Sequence, residues 1–138
     1  MAADHPNRSD LLAAAEEALR TEVLPHLDGE AKYTGLLVAA ALATARREID
    51  TGDVGARRTL DAYALLYGED NVARSGVDAE QRTDALSRDL AAQIRGGAYD
   101  GDLMGSVYAV LEIQVVERLR LSNPKFLTAS GYPSDTDG

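Results

Sequence analysis

The sequence contains no cysteine and no tryptophan, and it has only two histidines, one phenylalanine and four prolines among its 138 residues. The absence of cysteine excludes thiol nucleophiles, thiolate zinc sites and disulfide bonds. The two histidines, His5 and His26, lie far apart, and no second histidine stands three or four residues from either. We therefore predict no metal site and no bound cofactor.

Positive charge is also scarce. Lysine and arginine together number 14, against 23 aspartates and glutamates, which gives a net charge of -9. This charge disfavours binding to nucleic acid or to an anionic membrane surface, because both present negative phosphate groups. The N-terminal MAADHPNRSD lacks the apolar run of a signal peptide, and the longest apolar stretch, residues 35–45, is shorter than a transmembrane helix of roughly 18 residues. We expect a cytoplasmic protein.

Alanine and leucine dominate the chain, whereas β-branched and aromatic residues are sparse. Such a composition favours helices over strands. We predict an all-α fold, a single-domain bundle of about five helices within residues 1–129. Residues 1–8 are expected to be mobile, and residues 130–138 to form a disordered acidic tail.

Apolar periodicity places the predicted helices at residues 10–23, 30–49, 54–67, 78–95 and 103–121. Asn7 or Ser9 is the N-cap of the first helix, and Pro25 ends that helix. The second helix is rich in alanine, which lets a neighbouring helix approach closely, and we interpret it as a central core helix.

Local signals separate the third and fourth helices. Residues 68–76, GEDNVARSG, are predicted to form a polar loop. Asp78 and Gln81 have the spacing of a capping box, in which each side chain satisfies a backbone donor near the start of the helix. The RGG stretch at residues 95–97 ends the fourth helix, because glycine tolerates the left-handed conformation found at helix ends.

The fifth predicted helix is apolar on nearly all sides. One face combines Val107, Val110 and Leu111 with Gln114 and Arg118, and further aliphatic side chains cover much of the remaining surface. Such a helix is either central in its own domain or exposed to a partner. Gln114 and Arg118 then need polar partners inside the fold or across an interface, so both are candidates for partner contact.

The sequence offers no specific catalytic residue. Acidic neighbours such as Glu16 and Glu17 are typical of a solvated helix face. The RGGAYDGD stretch, residues 95–102, lacks the residue order of a phosphate-binding loop and follows a helix instead of a strand. An enzyme would need a strongly perturbed carboxylate in a cleft, and no candidate stands out.

The stretch RLRLSNPKFL ends the fifth helix. Pro124 is expected to break the helix, Asn123 to cap its last carbonyls or adopt a left-handed turn, and Phe126 to fold back as a buried anchor. With Leu119 and Lys125, these residues resemble an L-x-x-x-N-P-x-aromatic signature. The signature belongs to small helical proteins of unknown function that are encoded with aminoglycoside-phosphotransferase-like kinases and acyl-CoA dehydrogenases. They are similar to the small subunit of the levulinate-pathway 4-hydroxyacyl-CoA kinase.

Three further segments agree with this resemblance, in the expected order: residues 22–29 (EVLPHLDG), 46–49 (RREI) and 90–100 (LAAQIRGGAYD). Two features depart from it. Ser122 stands where an aspartate is usual, and residues 36–41 lack the arginine and asparagine common in the central helix of the family.

The resemblance implies a non-catalytic accessory subunit of a kinase that acts on a hydroxyacyl-CoA or related acid. The implied partners are a phosphotransferase-like kinase and an acyl-CoA dehydrogenase. Candidate contact or motif residues are Gln114, Arg118, Asn123, Pro124 and Phe126. The alternative is a free-standing module, such as a homodimer, that has a regulatory role or binds a small molecule or acyl chain between the second and fifth helices.

Overall fold

The computed structural model describes residues 6–102 and 104–132, and every regular element in these ranges is helical. The α-helices are α1 (Arg8–Ala18), α2 (Gly29–Thr51), α3 (Val54–Tyr67), α4 (Glu69–Arg74), α5 (Ala79–Arg95), α6 (Ser106–Ser122) and α7 (Pro124–Ala129). A π-helical turn at Leu19–Val23 and a 3₁₀ turn at Leu24–His26 follow α1. The predicted all-α fold with about five substantial helices is confirmed.

Several sequence predictions concern residues outside this description. Leu103, the predicted start of the fifth helix, is one of them, and α6 begins at Ser106. Residues 1–5 and 133–138 are also outside it. The mobile N-terminus and the disordered tail therefore stay predictions.

The described helices form two compact units, and the first contains residues 6–52 and 120–132. Its longest helix, α2, packs against α1 and buries Gly35, Ala39 and Ala43, which follow each other at intervals of four residues. A β-carbon added at Gly35 would lie 2.6 Å from Cδ2 of Leu24. The absence of a side chain at Gly35 therefore permits the close approach of α2 to this leucine.

Of the two predicted N-caps of the first helix, Asn7 and Ser9, the structure shows Asn7. The helix does not end as predicted. Asn7 is the N-cap: its Oδ1 accepts a hydrogen bond from the Asp10 amide at 2.8 Å, and the Asp10 carboxylate accepts one from the Asn7 amide. The α-helix ends at Ala18, and helical turns continue to His26. Pro25 does not end the helix as predicted, because it occupies an early position of the 3₁₀ turn where its missing N–H is not needed.

The interpretation of α2 as a central core helix is wrong for its N-terminal half. The predicted bounds agree with the structure to within two residues, but Tyr33 and Leu37 are 64% and 53% exposed. One side of α2 is therefore packed through small residues while larger apolar side chains face solvent.

The second unit, residues 53–119, contains a core of buried apolar side chains. Its buried members are Leu60, Tyr63, Val72, Leu86, Leu90, Val107 and Val110. The third helix begins and ends where predicted, followed by Gly68 with a φ of 90°. The next long helix, α5, contributes Leu86 and Leu90 to this core.

The predicted polar loop at residues 68–76 is wrong, because Glu69–Arg74 form α4. Glu69 and Asp70 favour a helix start through the helix dipole, and Val72 is buried in the core. At the start of α5 the Asp78 carboxylate accepts a hydrogen bond from the Gln81 amide at 2.8 Å. The predicted reciprocal bond differs, since the Gln81 side chain accepts from the Val77 amide instead of that of Asp78.

Candidate functional site

A hydrogen-bonded cluster of tyrosine and glutamine side chains lies in the second unit. The hydroxyl of Tyr67 donates to Oε1 of Gln93 at 2.6 Å, and the hydroxyl of Tyr99 donates to the same oxygen at 3.1 Å. Nε2 of Gln114 donates to the hydroxyl of the buried Tyr63. The rings of Tyr63 and Tyr67, one turn apart on α3, are stacked with centroids 5.9 Å apart. The cluster thus joins α3, α5, α6 and the turn after α5.

The environment keeps two of these tyrosines protonated. Burial raises the pKa of Tyr63, while hydrogen bonds with Ser87 and Gln114 partly offset that rise. Burial also raises the pKa of Tyr67, and its hydrogen bond with Tyr99 and the nearby Asp89 carboxylate raise it further. Both phenols are therefore neutral near pH 7 and serve as fixed polar groups.

A groove of about 300 Å³ lies beside this cluster. We call it the α4–α5 groove, and it is lined by Tyr67, Asn71, Arg74, Ser75, Leu86, Asp89 and Gln93. Asn71 and Arg74 share one face of α4 because they are three residues apart, and Asp89 and Gln93 share one face of α5 because they are four apart. The lining thus combines a cation, an anion, two amides, a hydroxyl and an aromatic ring.

The structure gives Gln114 the internal partner that the sequence required. Its amide belongs to the tyrosine cluster, whereas Arg118 is exposed one turn further along α6. Both lie in the second unit, while Asn123, Pro124 and Phe126 lie in the first. The five sequence-named candidates therefore do not form one cluster within either unit.

Asn123 acts on the helix that follows it. Its Oδ1 accepts a hydrogen bond from the amide of Phe126 at 3.2 Å, which makes it the N-cap of α7, and Pro124 is the first residue of that helix. The predicted capping of the preceding helix and the left-handed turn are both wrong, since φ of Asn123 is -154°. An asparagine followed by proline here ends one helix and starts the next.

Phe126 is not the predicted buried anchor. Its side chain is 54% exposed, whereas Leu127 is 4% exposed. The prediction was wrong because a new helix, α7, begins at Pro124 and turns the neighbouring leucine inward. The aromatic residue of the signature is accessible to another molecule.

The RREI segment supports the end of α6. Nη1 of Arg47 donates to the carbonyl of Leu121 at 2.7 Å. The last carbonyls of a helix lack intrahelical partners, so a charged donor from another helix stabilises that end. Arg46 contacts the Glu16 carboxylate at 3.3 Å, which links α2 to α1. Both arginines therefore have structural contacts within the first unit.

Groups of apolar side chains on α2 and on α6 are exposed to solvent. On α2 we define the α2 face as Tyr33, Leu36, Leu37, Ala40 and Ala41, all of which are exposed. On α6 we define the α6 stripe as Tyr108, Leu111 and Val115, which are also exposed and share one side of the helix. The burial of Val107 and Val110 on another side of α6 shows that this helix is both a core element and a surface one.

The α4–α5 groove was missed because α4 was predicted to be a loop. The acidic pair at residues 69–70, placed directly after the Gly68 helix end and before the apolar Val72, was the available signal. Among the described residues, no group of histidine and acidic side chains is arranged to hold a metal ion. No helix in the same ranges is long and apolar enough to span a bilayer.

A family model described as Domain of unknown function (DUF6285) matches residues 25–126 of the chain. The chain belongs to this family. No curated protein and no solved structure matches it. The DUF6285 region contains α2 to α6 and ends at Phe126, so the tyrosine cluster, the groove, the α2 face and the α6 stripe all lie within it.

Proposed function

We propose that this DUF6285 protein is a non-catalytic accessory subunit of an aminoglycoside-phosphotransferase-like kinase that acts on a hydroxyacyl-CoA or a related acid. The observation that carries the proposal is the exposed α2 face. The kind of partner comes from the helix-ending signature and the three segments that resemble kinase-associated proteins. An acyl-CoA dehydrogenase is the second partner that the same resemblance suggests.

The α2 face has the properties of a binding surface. Tyr33, Leu36 and Leu37 lie within about one turn of each other, and contiguous exposed apolar groups mark interaction sites in soluble proteins. Fully burying a side chain of leucine size contributes about 1.5–3 kcal/mol. Ala40 and Ala41 add little bulk, so a partner helix can approach the backbone of α2 closely at that point.

Phe126 and the α6 stripe offer further contacts. Aromatic residues are enriched at protein interfaces, and the exposed Phe126 stands in the part of the sequence that most resembles the kinase-associated proteins. On α6, Tyr108 and Val115 are exposed although this helix also supplies core residues. These surfaces support partner binding as the main role of the protein.

Copurification tests the proposal. The tagged full chain, isolated from its native cells and analysed by size-exclusion chromatography and mass spectrometry, is expected to retain a phosphotransferase-like kinase in near-stoichiometric amount. Leu37→Glu should reduce the retained kinase by at least about tenfold, because the interface would bury an unpaired charge. Leu65→Glu is the matched control, since Leu65 is 83% exposed on α3 and outside the proposed surface.

Both variants should keep the melting temperature of the parent protein, since both changed side chains are exposed. Kinase activity measured with and without the chain then shows whether the subunit is required. Recovery of the chain alone, or equal kinase retention by the two variants, contradicts the proposal.

The second candidate is a free-standing homo-oligomeric module that binds a small molecule or has a regulatory role. The α4–α5 groove favours it, because about 300 Å³ is enough for a small ligand. The groove is formed by helices other than those predicted to hold a ligand, and polar side chains dominate its lining. This candidate predicts a self-associated species without kinase on the size-exclusion column.

A further inference from the structure

We propose that the α4–α5 groove binds a small zwitterionic molecule that carries one carboxylate and one ammonium group. The inference rests on the charges and hydrogen-bonding groups that line the groove, and it holds whether or not the protein is a kinase subunit. The ligand class follows from three observations on the lining: its charges, the orientation of its neutral groups and its volume.

The groove carries two opposite charges that do not neutralise each other. Arg74 comes from α4 and Asp89 from α5, and both line the groove. Within residues 6–102 and 104–132, neither side chain forms an ion pair or a hydrogen bond. A guanidinium binds a carboxylate with charge-assisted hydrogen bonds, and a carboxylate binds an ammonium group in the same way. A ligand with both groups satisfies both side chains.

The neutral lining groups are held in fixed orientations. Oε1 of Gln93 accepts hydrogen bonds from the hydroxyls of Tyr67 and Tyr99, which leaves its NH₂ group as a donor for a ligand. Nδ2 of Asn71 donates to the carbonyl of Tyr67 at 2.8 Å, which leaves its Oδ1 as an acceptor. The Ser75 hydroxyl donates to the Val72 carbonyl at 2.7 Å and keeps its lone pairs. The groove thus presents both donors and acceptors in addition to its two charges.

The volume of the groove suits a small ligand. About 300 Å³ lies at the small end of the range for small-molecule sites, so the groove fits a molecule of amino-acid size. A coenzyme A or a nucleotide carries several negative charges, which the Asp89 carboxylate would repel. The site is therefore matched to a zwitterion and not to a polyanionic cofactor.

Amide chemical shifts of the full-length protein test the inference with zwitterions of three lengths: β-alanine, 4-aminobutyrate and 6-aminohexanoate. We expect at least one to cause saturable shifts at groove residues with a Kd below about 10 mM. Its singly charged analogues of equal chain length, an alkyl carboxylate and an alkyl amine, should bind at least about tenfold more weakly. Each analogue lacks one charge-assisted contact.

Variants of the two charged residues complete the test. Arg74→Gln and Asp89→Asn should each weaken binding of the best zwitterion by about tenfold, the effect of one lost charge-assisted contact. Arg88→Gln is the control on the same helix, since Arg88 is exposed but does not line the groove. All three substitutions are at exposed positions and should leave the melting temperature of the protein unchanged.

Two results would overturn the inference. One is the absence of groove shifts with all three zwitterions at about 50 mM. The other is equal binding by a zwitterion and one of its singly charged analogues. Because the probes are added to the isolated chain, neither result bears on copurification with a kinase, and the two proposals fail separately.

Discussion

The longest helix of the first unit, α2, and the core of the second unit bury different kinds of side chain. The second unit encloses large residues such as Tyr63, Leu90 and Val110, which are almost completely shielded from solvent. In the first unit α2 buries Gly35, Ala39 and Ala43 instead, while larger residues of the same helix remain exposed. The second unit thus gains stability from buried apolar area, and α2 in the first unit gains it from the close approach of its backbone to its neighbours.

This difference determines which large apolar side chains are accessible to another protein. A large side chain placed in a core is not available to another protein, whereas the α2 face keeps its leucines and Tyr33 at the surface. In the second unit the groove-lining polar groups rest on a filled core, which holds them in place. Three changes test how far the contrast between the units holds.

The largest effect is expected for Leu90→Ala. Removing most of a buried leucine leaves a cavity in the second unit and should lower the free energy of unfolding by about 2–5 kcal/mol, measured by urea denaturation. Leu65→Ala, at an exposed position of the same unit, should change it by less than about 0.5 kcal/mol. Similar losses for both variants would show that the core of this unit is not tightly packed.

An intermediate effect is expected for Ala39→Leu. Ala39 is fully buried on α2, so the larger side chain should force α2 away from its neighbours and cost about 1–3 kcal/mol in the same assay. Ala40→Leu is a control one residue away, because Ala40 is exposed and its substitution should cost less than about 0.5 kcal/mol. A larger loss of stability for Ala40→Leu than for Ala39→Leu would mean that the opposite side of α2 is the packed one.

The smallest effect concerns alkaline pH. Burial raises the pKa of Tyr63 and Tyr67 above the ordinary value of 10.0, so above that pH the unfolded chain loses protons that the folded chain retains. Stability is complete below about pH 10 and should fall above it, with the buried Tyr63 contributing up to about 1.4 kcal/mol per pH unit and the partly exposed Tyr67 less.

Urea denaturation between about pH 8 and pH 11 measures this fall. Tyr63→Phe should make it shallower, and Tyr33→Phe, at an exposed position in the first unit, should not. An unchanged slope in the Tyr63 variant would show that burial of this phenol does not link stability to pH.

The sequence predicted those helix ends that carry a local signal. The bounds of α3 and the start of α5 follow from Gly68 and Asp78, whose local conformations and hydrogen bonds mark helix ends. No such signal marks the change from α1 to the π-helical turn at Leu19–Val23, where the helix continues with a different hydrogen-bond pattern. Similarly, Phe126 was assigned the buried position of Leu127 because hydrophobicity alone does not fix the turn of a short helix.

The candidate site was only partly predictable. The need of Gln114 for a polar partner followed from its place on an apolar helix, but its partner Tyr63 lies 51 residues away and could not be chosen from the sequence. The α4–α5 groove depends on how three helices pack, and each of its charged and amide residues alone is typical of a solvated helix surface. Spacing identifies which residues share a helix face and not which faces meet.

The hydrogen bond from Arg47 to the Leu121 carbonyl joins positions 74 residues apart. It belongs to the unit that combines both ends of the described chain, whereas the residues of the other unit, 53–119, are continuous in sequence. Because a ribosome makes proteins from the N-terminus and domains fold as units, residues 53–119 are all available before synthesis reaches the last segment of the first unit. During that interval Arg47 of α2 lacks its carbonyl partner, so the first unit is completed only when its last segment emerges.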